Sequence, residues 1–121
     1  MNENVMRAAK NDFVLLAARY MKGVIGEADK AYRRKAVQEL VNISNDVTYD
    51  NGKYTIEGII EKEDESGSYI FEFYHYKDDD TNNLLFNDHA DAIRSDALAD
   101  ENFGHFEVDD AKRYILHFYQ I

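Results

Sequence analysis

The chain contains no cysteine and no proline among its 121 residues, and it has only six glycines. The lack of cysteine excludes a disulfide framework, a thiolate zinc site and a cysteine nucleophile. The glycines are scattered, and Gly23-Val24-Ile25-Gly26 lacks the lysine and the spacing of a phosphate-binding loop. No apolar run approaches the roughly 18 residues that suggest a membrane helix, and no signal-peptide pattern opens the chain. We therefore expect a cytoplasmic protein that binds no membrane and needs no cofactor.

Aromatic residues can form much of a hydrophobic core. The chain has nine tyrosines and seven phenylalanines, and 45% of its residues are hydrophobic. This composition is globular rather than disordered. A chain of this length buries roughly two thirds of its unfolded surface, which is enough for a core without disulfides or metal. No linker or internal repeat divides the chain, so residues 1–121 are predicted to form a single domain.

Negative charge is confined to the later part of the chain. Residues 1–45 carry eight Lys or Arg and five Asp or Glu, a net charge of +3, whereas residues 46–121 carry six and nineteen, a net charge of −13. Such asymmetry bears on association and solubility rather than on fold. Direct binding of nucleic acid through the acidic part is disfavoured, because phosphate contacts need Lys and Arg.

Helical periodicity dominates the first 45 residues. Apolar residues at helical spacing predict a helix over residues 3–22, ended by Gly23, and a second helix over residues 27–43. The apolar stripe of the second helix is predicted to consist of Val37, Leu40 and Val41. Its basic segment, Lys30 to Lys35, could contact phosphates, but the wet side of an amphipathic helix explains it better.

The pattern then changes to period two, which predicts strands. Asp50-Asn51-Gly52 is a strong turn signal, and alternation around Ile56 and Phe71 predicts a hairpin, with residues 46–50 as a further strand. Residues 77–83 are predicted to form a charged loop and residues 88–101 a short helix, with Ala90, Ile93, Ala97 and Leu98 on its apolar side.

Residues 111–120 fit two structures: a helix, or the second strand of a hairpin that starts at residue 103. We favour the hairpin, because the segment is dense in β-formers. The predicted fold is therefore α+β, with two N-terminal helices packed on a four- to five-strand antiparallel sheet and a short helix inserted between two hairpins.

No metal or catalytic signature withstands inspection. Asp78, Asp80 and Asn82 occupy the first positions of a calcium loop, but Asn83 stands where glycine is required and His89 where a bidentate glutamate is required. The four histidines are His75, His89, His105 and His117, and no serine lies in a nucleophile elbow. We predict no metal site and no catalytic residue, and hence a protein that is not an enzyme.

An acidic surface is the remaining candidate for a functional site. Carboxylates three or four residues apart on a helix lie about 5–6 Å apart, a spacing similar to that of phosphates along one nucleic-acid strand. Such a surface would fit the cationic groove of a nucleic-acid-binding protein. The predicted partner-binding residues are Asp78, Asp79, Asp80, Asp88, Asp91, Asp96 and Asp100.

The leading hypothesis is a non-catalytic inhibitor that blocks a nucleic-acid-binding protein or nuclease through this acidic surface. A small acidic chain without a catalytic motif looks like the DNA-mimicking anti-CRISPR and anti-restriction inhibitors of phages, and like the immunity proteins that cap toxin nucleases. One alternative is a small-molecule-binding or enzyme domain of cystatin-like type, with a pocket between sheet and helices that contains His75 or His117. Another is a structural homodimer, in which the basic helices of one copy meet the acidic surface of a second.

Overall fold

The computed structural model describes residues 3–121 as three helices and five strands. In chain order they are α1 (Glu3–Ile25), α2 (Lys30–Ser44), β1 (Thr48–Asp50), β2 (Lys53–Glu61), β3 (Ser68–Tyr76), α3 (Asp80–Ala99), β4 (His105–Asp109) and β5 (Tyr114–Gln120). The strands form one antiparallel sheet in the order β1-β2-β3-β5-β4. The predicted α+β architecture is confirmed, and so is the final hairpin, which is formed by β4 and β5.

The main core lies between α1, α2 and one face of the sheet. Period-two alternation brings aromatic and aliphatic residues of β2, β3 and β5 to this face, among them Ile56, Phe71, Phe73, Leu116 and Phe118, all fully buried. Phe13 of α1 meets Phe71 and Phe73 with ring centroids 6.0 and 5.9 Å apart, in edge-on geometry. The alternation that predicted the first hairpin is thus the pattern that builds the core.

The third helix covers only part of the opposite face. Phe86, Ala90 and Ile93 pack against Tyr76 of β3 and Ile115 of β5 in a second, smaller cluster. Farther along β2 this face is open to solvent, and Ile59 is 64% exposed. The central strands are therefore covered on one side of the sheet, and only part of the other side is covered.

A predicted boundary was wrong in each of the three helices, and the second helix begins at Lys30, after its N-cap Asp29, rather than at residue 27. The first helix continues through Gly23 to Ile25, so the glycine does not end it. The third helix begins at Asp80 rather than at Asp88, and it takes up part of the segment predicted as a loop. It begins there because the side chain of Asp79 accepts a hydrogen bond from the backbone N–H of Asn82 at 2.9 Å, which satisfies one of the unpaired donors of the first turn.

Three apolar side chains assigned to helix cores are exposed instead. Val37 and Val41 of α2 are 52% and 39% exposed, because the helix meets the sheet through Ala36 and Leu40. Leu98 is 92% exposed and does not share a side with the buried residues of α3. In each helix the apolar residues outnumber the positions that the sheet can cover.

The turn between β1 and β2 fixes the position of Asn82. Asn51 and Gly52 have φ angles of 49° and 85°, as a two-residue hairpin turn of the primed type requires. A Cβ atom on Gly52 would lie 2.8 Å from Cγ of Asn82, whose side chain is buried at the start of α3. The turn and the beginning of α3 therefore pack directly against each other.

Glycine-to-alanine substitutions at two positions should have opposite effects on stability. Gly52→Ala should lower the free energy of unfolding by about 1–3 kcal/mol, because alanine is strained at positive φ and would collide with Asn82. Gly23→Ala should raise it by about 0.5–1 kcal/mol, because Gly23 lies within a helix and a Cβ atom added to it would have no neighbour within 4 Å. Urea unfolding of both variants measures the difference, and equal effects would contradict the packing at the turn.

Candidate functional site: the outer face of the third helix

The acidic residues at the start of α3 serve the helix itself. Asp79 is the N-cap, and its carboxylate also accepts from Nδ2 of Asn82 at 2.9 Å. Hydrogen bonds from the backbone and side chain of Asn82 hold the pKa of Asp79 below its usual value. Asp78 lies 3.8 Å from the guanidinium of Arg113 and accepts from Asn83 at 3.2 Å. These two predicted partner-binding carboxylates thus have structural contacts of their own.

The remaining predicted carboxylates lie exposed along α3 or at its end. Asp88 and Asp96 form no ion pair with any residue in the described range 3–121. Asp91 lies 3.9 Å from Arg94, whose guanidinium also lies 3.5 Å from Asp110 of the β4–β5 turn. Asp100 is the C-cap residue, and its side chain accepts from the backbone of Asn102. Arg94 therefore joins the helix to the next acidic turn and neutralises part of the charge between them.

Exposed leucines lie among these carboxylates, and they were missed in the sequence. Leu84 is 67% exposed, Leu85 50% and Leu98 92%. Leu84, Asp88, Asp91, Ser95 and Leu98 follow one another at intervals of three or four residues, so they form one line along the helix. We define the outer face of α3 by its exposed carboxylates and leucines: Asp80, Leu84, Leu85, Asp88, Asp91, Asp96 and Leu98.

One signal for the first two leucines was present in the sequence. Leu84-Leu85-Phe86 is a run of three apolar residues, and at 100° per residue a helix cannot turn all three toward one core. In the structure Phe86 is buried, and both leucines are on the solvent side. Leu98 offered no such signal, because its spacing from Ala90 and Ala97 also fitted a buried position.

A second polar cluster lies on the sheet face that α3 leaves open. Glu57 and Glu72 lie directly opposite each other on β2 and β3. The hydroxyl of Tyr119 donates to Glu72 at 3.2 Å, and Nδ1 of His117 lies 3.5 Å from the other oxygen of that carboxylate. The Nε2–H of His117 donates to the carbonyl of Phe103 at 2.7 Å. Like charges opposite each other destabilise a sheet, and the hydrogen bond from the hydroxyl of Tyr119 stabilises Glu72 in this position.

Burial lowers the pKa of two other histidines, His75 and His89. His75 is 8% exposed, and its Nδ1 is buried without a hydrogen-bond partner in the described chain. Burial lowers the pKa of His75, Asp12 opposes the shift, and Arg113 and Lys112 add to it. Burial likewise lowers the pKa of His89, whose Nδ1 lies 2.7 Å from the hydroxyl of Tyr76. The hydroxyl of Tyr76 donates this bond when Nδ1 carries no proton, and it accepts the bond in the other tautomer.

Five cavities lie at the surface of residues 3–121, with volumes between about 250 and 670 Å³. His75 and His117 line none of these five. The largest lies between the end of α1 and the β2–β3 turn, and it is lined mainly by polar atoms of residues such as Glu27 and Asp64. Within residues 3–121, no three His, Asp or Glu side chains converge as metal ligands, and no helix is long and apolar enough to cross a membrane.

Comparison with known proteins adds no assignment. No protein-family model matches the chain, and neither a curated protein nor a solved structure matches it significantly. The surface chemistry of the chain itself is therefore what bears on its function.

Stability should fall as the pH drops below about 6.5. The folded pKa values of His75 and His89 are lowered, so in this window the unfolded chain binds more protons than the folded one, and stability rises with pH. Urea unfolding at pH 7.5 and pH 5.5 measures the change, and His75→Gln should reduce it. His105→Gln, which removes an exposed histidine, is the matched control; equal changes in both variants would contradict the role of burial.

Proposed function

We propose that this chain is a non-catalytic inhibitor that binds a cationic surface of a nucleic-acid-binding protein or nuclease through the outer face of α3. The observation that carries the proposal is the alignment of exposed leucines with carboxylates on a helix whose core contacts are made by other residues. Phe86, Ala90 and Ile93 anchor α3 to the sheet, so the outer face is free to serve a partner.

Apolar and charged residues on this face supply different parts of binding. Fully burying a leucine side chain contributes about 1.5–3 kcal/mol, and carboxylates select a partner of opposite charge and accelerate encounter. Single exposed leucines are ordinary, but Leu84 and Leu85 are adjacent and both are exposed beside Asp88. This pair therefore favours binding over solubility as the role of this face.

The row of charge along α3 supports a target that otherwise binds nucleic acid. Asp88 and Asp91 are three residues apart and lie on the same line of the helix. Cationic grooves that hold phosphates carry Lys and Arg at close intervals, and a helix with spaced carboxylates complements such a groove. An inhibitor of this kind occupies the groove and excludes the nucleic acid.

The class of inhibitor follows from the kind of target that such a surface fits. Nucleases and restriction or CRISPR effectors carry exposed cationic grooves, and phage inhibitors and toxin-immunity proteins act on such proteins in the cytoplasm. We include both types in the proposal, since each needs only a stable acidic scaffold. The pocket hypothesis remains a prediction, and no observation of the structure favours it.

Charge reversal on α3 should abolish binding of the partner, whereas the same change in charge elsewhere on the surface should not. The variant Asp88→Lys/Asp91→Lys/Asp96→Lys changes the net charge by six units at exposed positions, and it should stay folded. Glu27→Lys/Asp46→Lys/Glu61→Lys makes the same change at exposed positions away from the outer face of α3. Each protein is immobilised and exposed to a bacterial lysate, and the bound proteins are identified after elution with salt.

The proposal is supported by proteins that bind the wild type and the control but not the α3 variant. Added duplex DNA should release these proteins, because DNA and the chain would compete for one groove. A set of bound proteins that is the same for all three baits would overturn the placement on α3. Bound proteins that duplex DNA leaves in place would overturn the proposed mode of inhibition.

Leucine and aspartate variants should differ in their dependence on salt. With a purified partner, Leu84→Ser/Leu98→Ser should weaken binding by at least about tenfold, equivalent to about 1.4 kcal/mol, at both low and high salt, because apolar contact is not screened. The loss caused by the aspartate reversals should shrink as salt rises. Calorimetry at two ionic strengths measures both, with Ile59→Ser on the open sheet face as the control. A leucine variant with wild-type affinity would show that charge alone mediates binding.

A further inference from the structure

A groove lined partly by apolar side chains runs between α1 and α2 on the side away from the sheet. Its lining includes Leu15, Val37 and Val41, which are 68%, 52% and 39% exposed. Two cavities of about 480 and 550 Å³ lie along it, one toward each end of the helices. Single exposed aliphatic residues are ordinary, but a contiguous group of them along a groove marks a binding surface.

Basic residues line both ends of this groove. Arg7 and Lys10 line the cavity at one end, and Lys22 and Arg33 line the cavity at the other, together with the single carboxylate of Glu27. None of the four basic side chains forms an ion pair in the part of the chain that the structure describes, residues 3–121. The groove therefore has the order base, aliphatic, base along its length.

The first half of the outer face of α3 has the complementary order. Asp80 precedes Leu84 and Leu85, and Asp88 and Asp91 follow them. At 1.5 Å per residue, Asp80 and Asp91 are about 16 Å apart along the helix, and Lys10 and Lys22 are about 18 Å apart along α1. Leucines between two acidic ends thus match aliphatic residues between two basic ends, at nearly equal spacing.

We infer that the groove between α1 and α2 binds the outer face of α3 from a second copy of this chain. The groove and α3 lie on opposite sides of one sheet. The α3 helix of one molecule therefore cannot reach the groove of the same molecule. The contact is head-to-tail, and it leaves a free groove on one copy and a free α3 on the other. Repetition of the contact extends the assembly or closes it into a ring.

Symmetric pairing of like surfaces is disfavoured by charge. Two α3 helices would bring together aspartates of both copies, and two grooves would bring together Lys10, Lys22 and their equivalents. Like charges in close contact across an interface are repulsive. The occupant of the groove is therefore the acidic helix of another copy rather than another groove.

This inference is independent of the proposed function, but it uses the same face of α3. Self-association and binding of a cationic partner are consequently mutually exclusive at each α3. A partner that binds α3 more tightly would disassemble the chains that have already associated.

Two blocked variants test the head-to-tail contact. The first variant, Lys22→Glu/Val37→Asp, disrupts binding at the groove and leaves α3 intact. The second variant, Leu84→Ser/Leu85→Ser, disrupts the α3 contact and leaves the groove intact. Sedimentation velocity measures association, in about 0.15 M salt. At this salt concentration the Debye length of about 8 Å screens the long-range repulsion between copies of net charge −10, but it leaves close ion pairs across the contact largely unscreened. Circular dichroism and thermal unfolding establish that both variants are folded.

The expected result is concentration-dependent association of the wild type, monomers for each variant alone, and a 1:1 dimer when the variants are mixed. The mixture forms one contact, because the intact α3 of the first variant binds the intact groove of the second. A wild type that stays monomeric at the highest concentration reached overturns the inference. Dimers of either variant alone, or a mixture that stays monomeric, overturn it as well.

Discussion

Strand β3 carries buried apolar residues on both faces, although Glu72 lies on the face that α3 covers only in part, and the helices of the fold pack against these residues. Tyr69, Phe71 and Phe73 face α1 and α2, whereas Ile70 and Tyr76 face the other way. All five are buried, in the central position that β3 takes between β2 and β5. Two helices that precede the sheet cover one face, and α3, which follows β3, packs against Tyr76 on the other. The insertion of α3 after β3 thus covers one end of the second face.

The hairpins were predictable, because strand alternation and the Asn51-Gly52 turn are local signals that tertiary packing reinforces. The last strand was ambiguous, since its apolar residues fit a helix stripe as well as a strand. The sheet decides the matter: Leu116 and Phe118 lie on the face that packs against α1, as alternate residues of a strand must. The start of α3 was missed because Asp79 and Asn82 are typical of loops, and only their hydrogen bond to each other shows that they form a cap.

Only part of the candidate site could be predicted from the sequence. Its aspartates were identifiable, because charge at the solvent side of a helix is what amphipathicity requires. The exposure of its leucines was not identifiable, and neither was the exposure of Val37 and Val41 on α2. Periodicity shows that a helix has an apolar stripe, but it does not show how much of that stripe the sheet will cover. Where a helix has more apolar residues than its neighbours can bury, the surplus becomes visible only in the packed structure.

Charge separation along the chain becomes charge separation across the molecule. The basic helices α1 and α2 lie on one side of the sheet, and the acidic α3 lies on the other. Such a molecule is electrically polar as well as acidic, so a charged partner orients it before contact. The aspartates of α3 would then govern the rate of encounter, which salt reduces, whereas Leu84 and Leu98 would govern how long a complex lasts. In the proposed complex the carboxylates would select a cationic surface, and the leucines would add the requirement for a matching apolar contact.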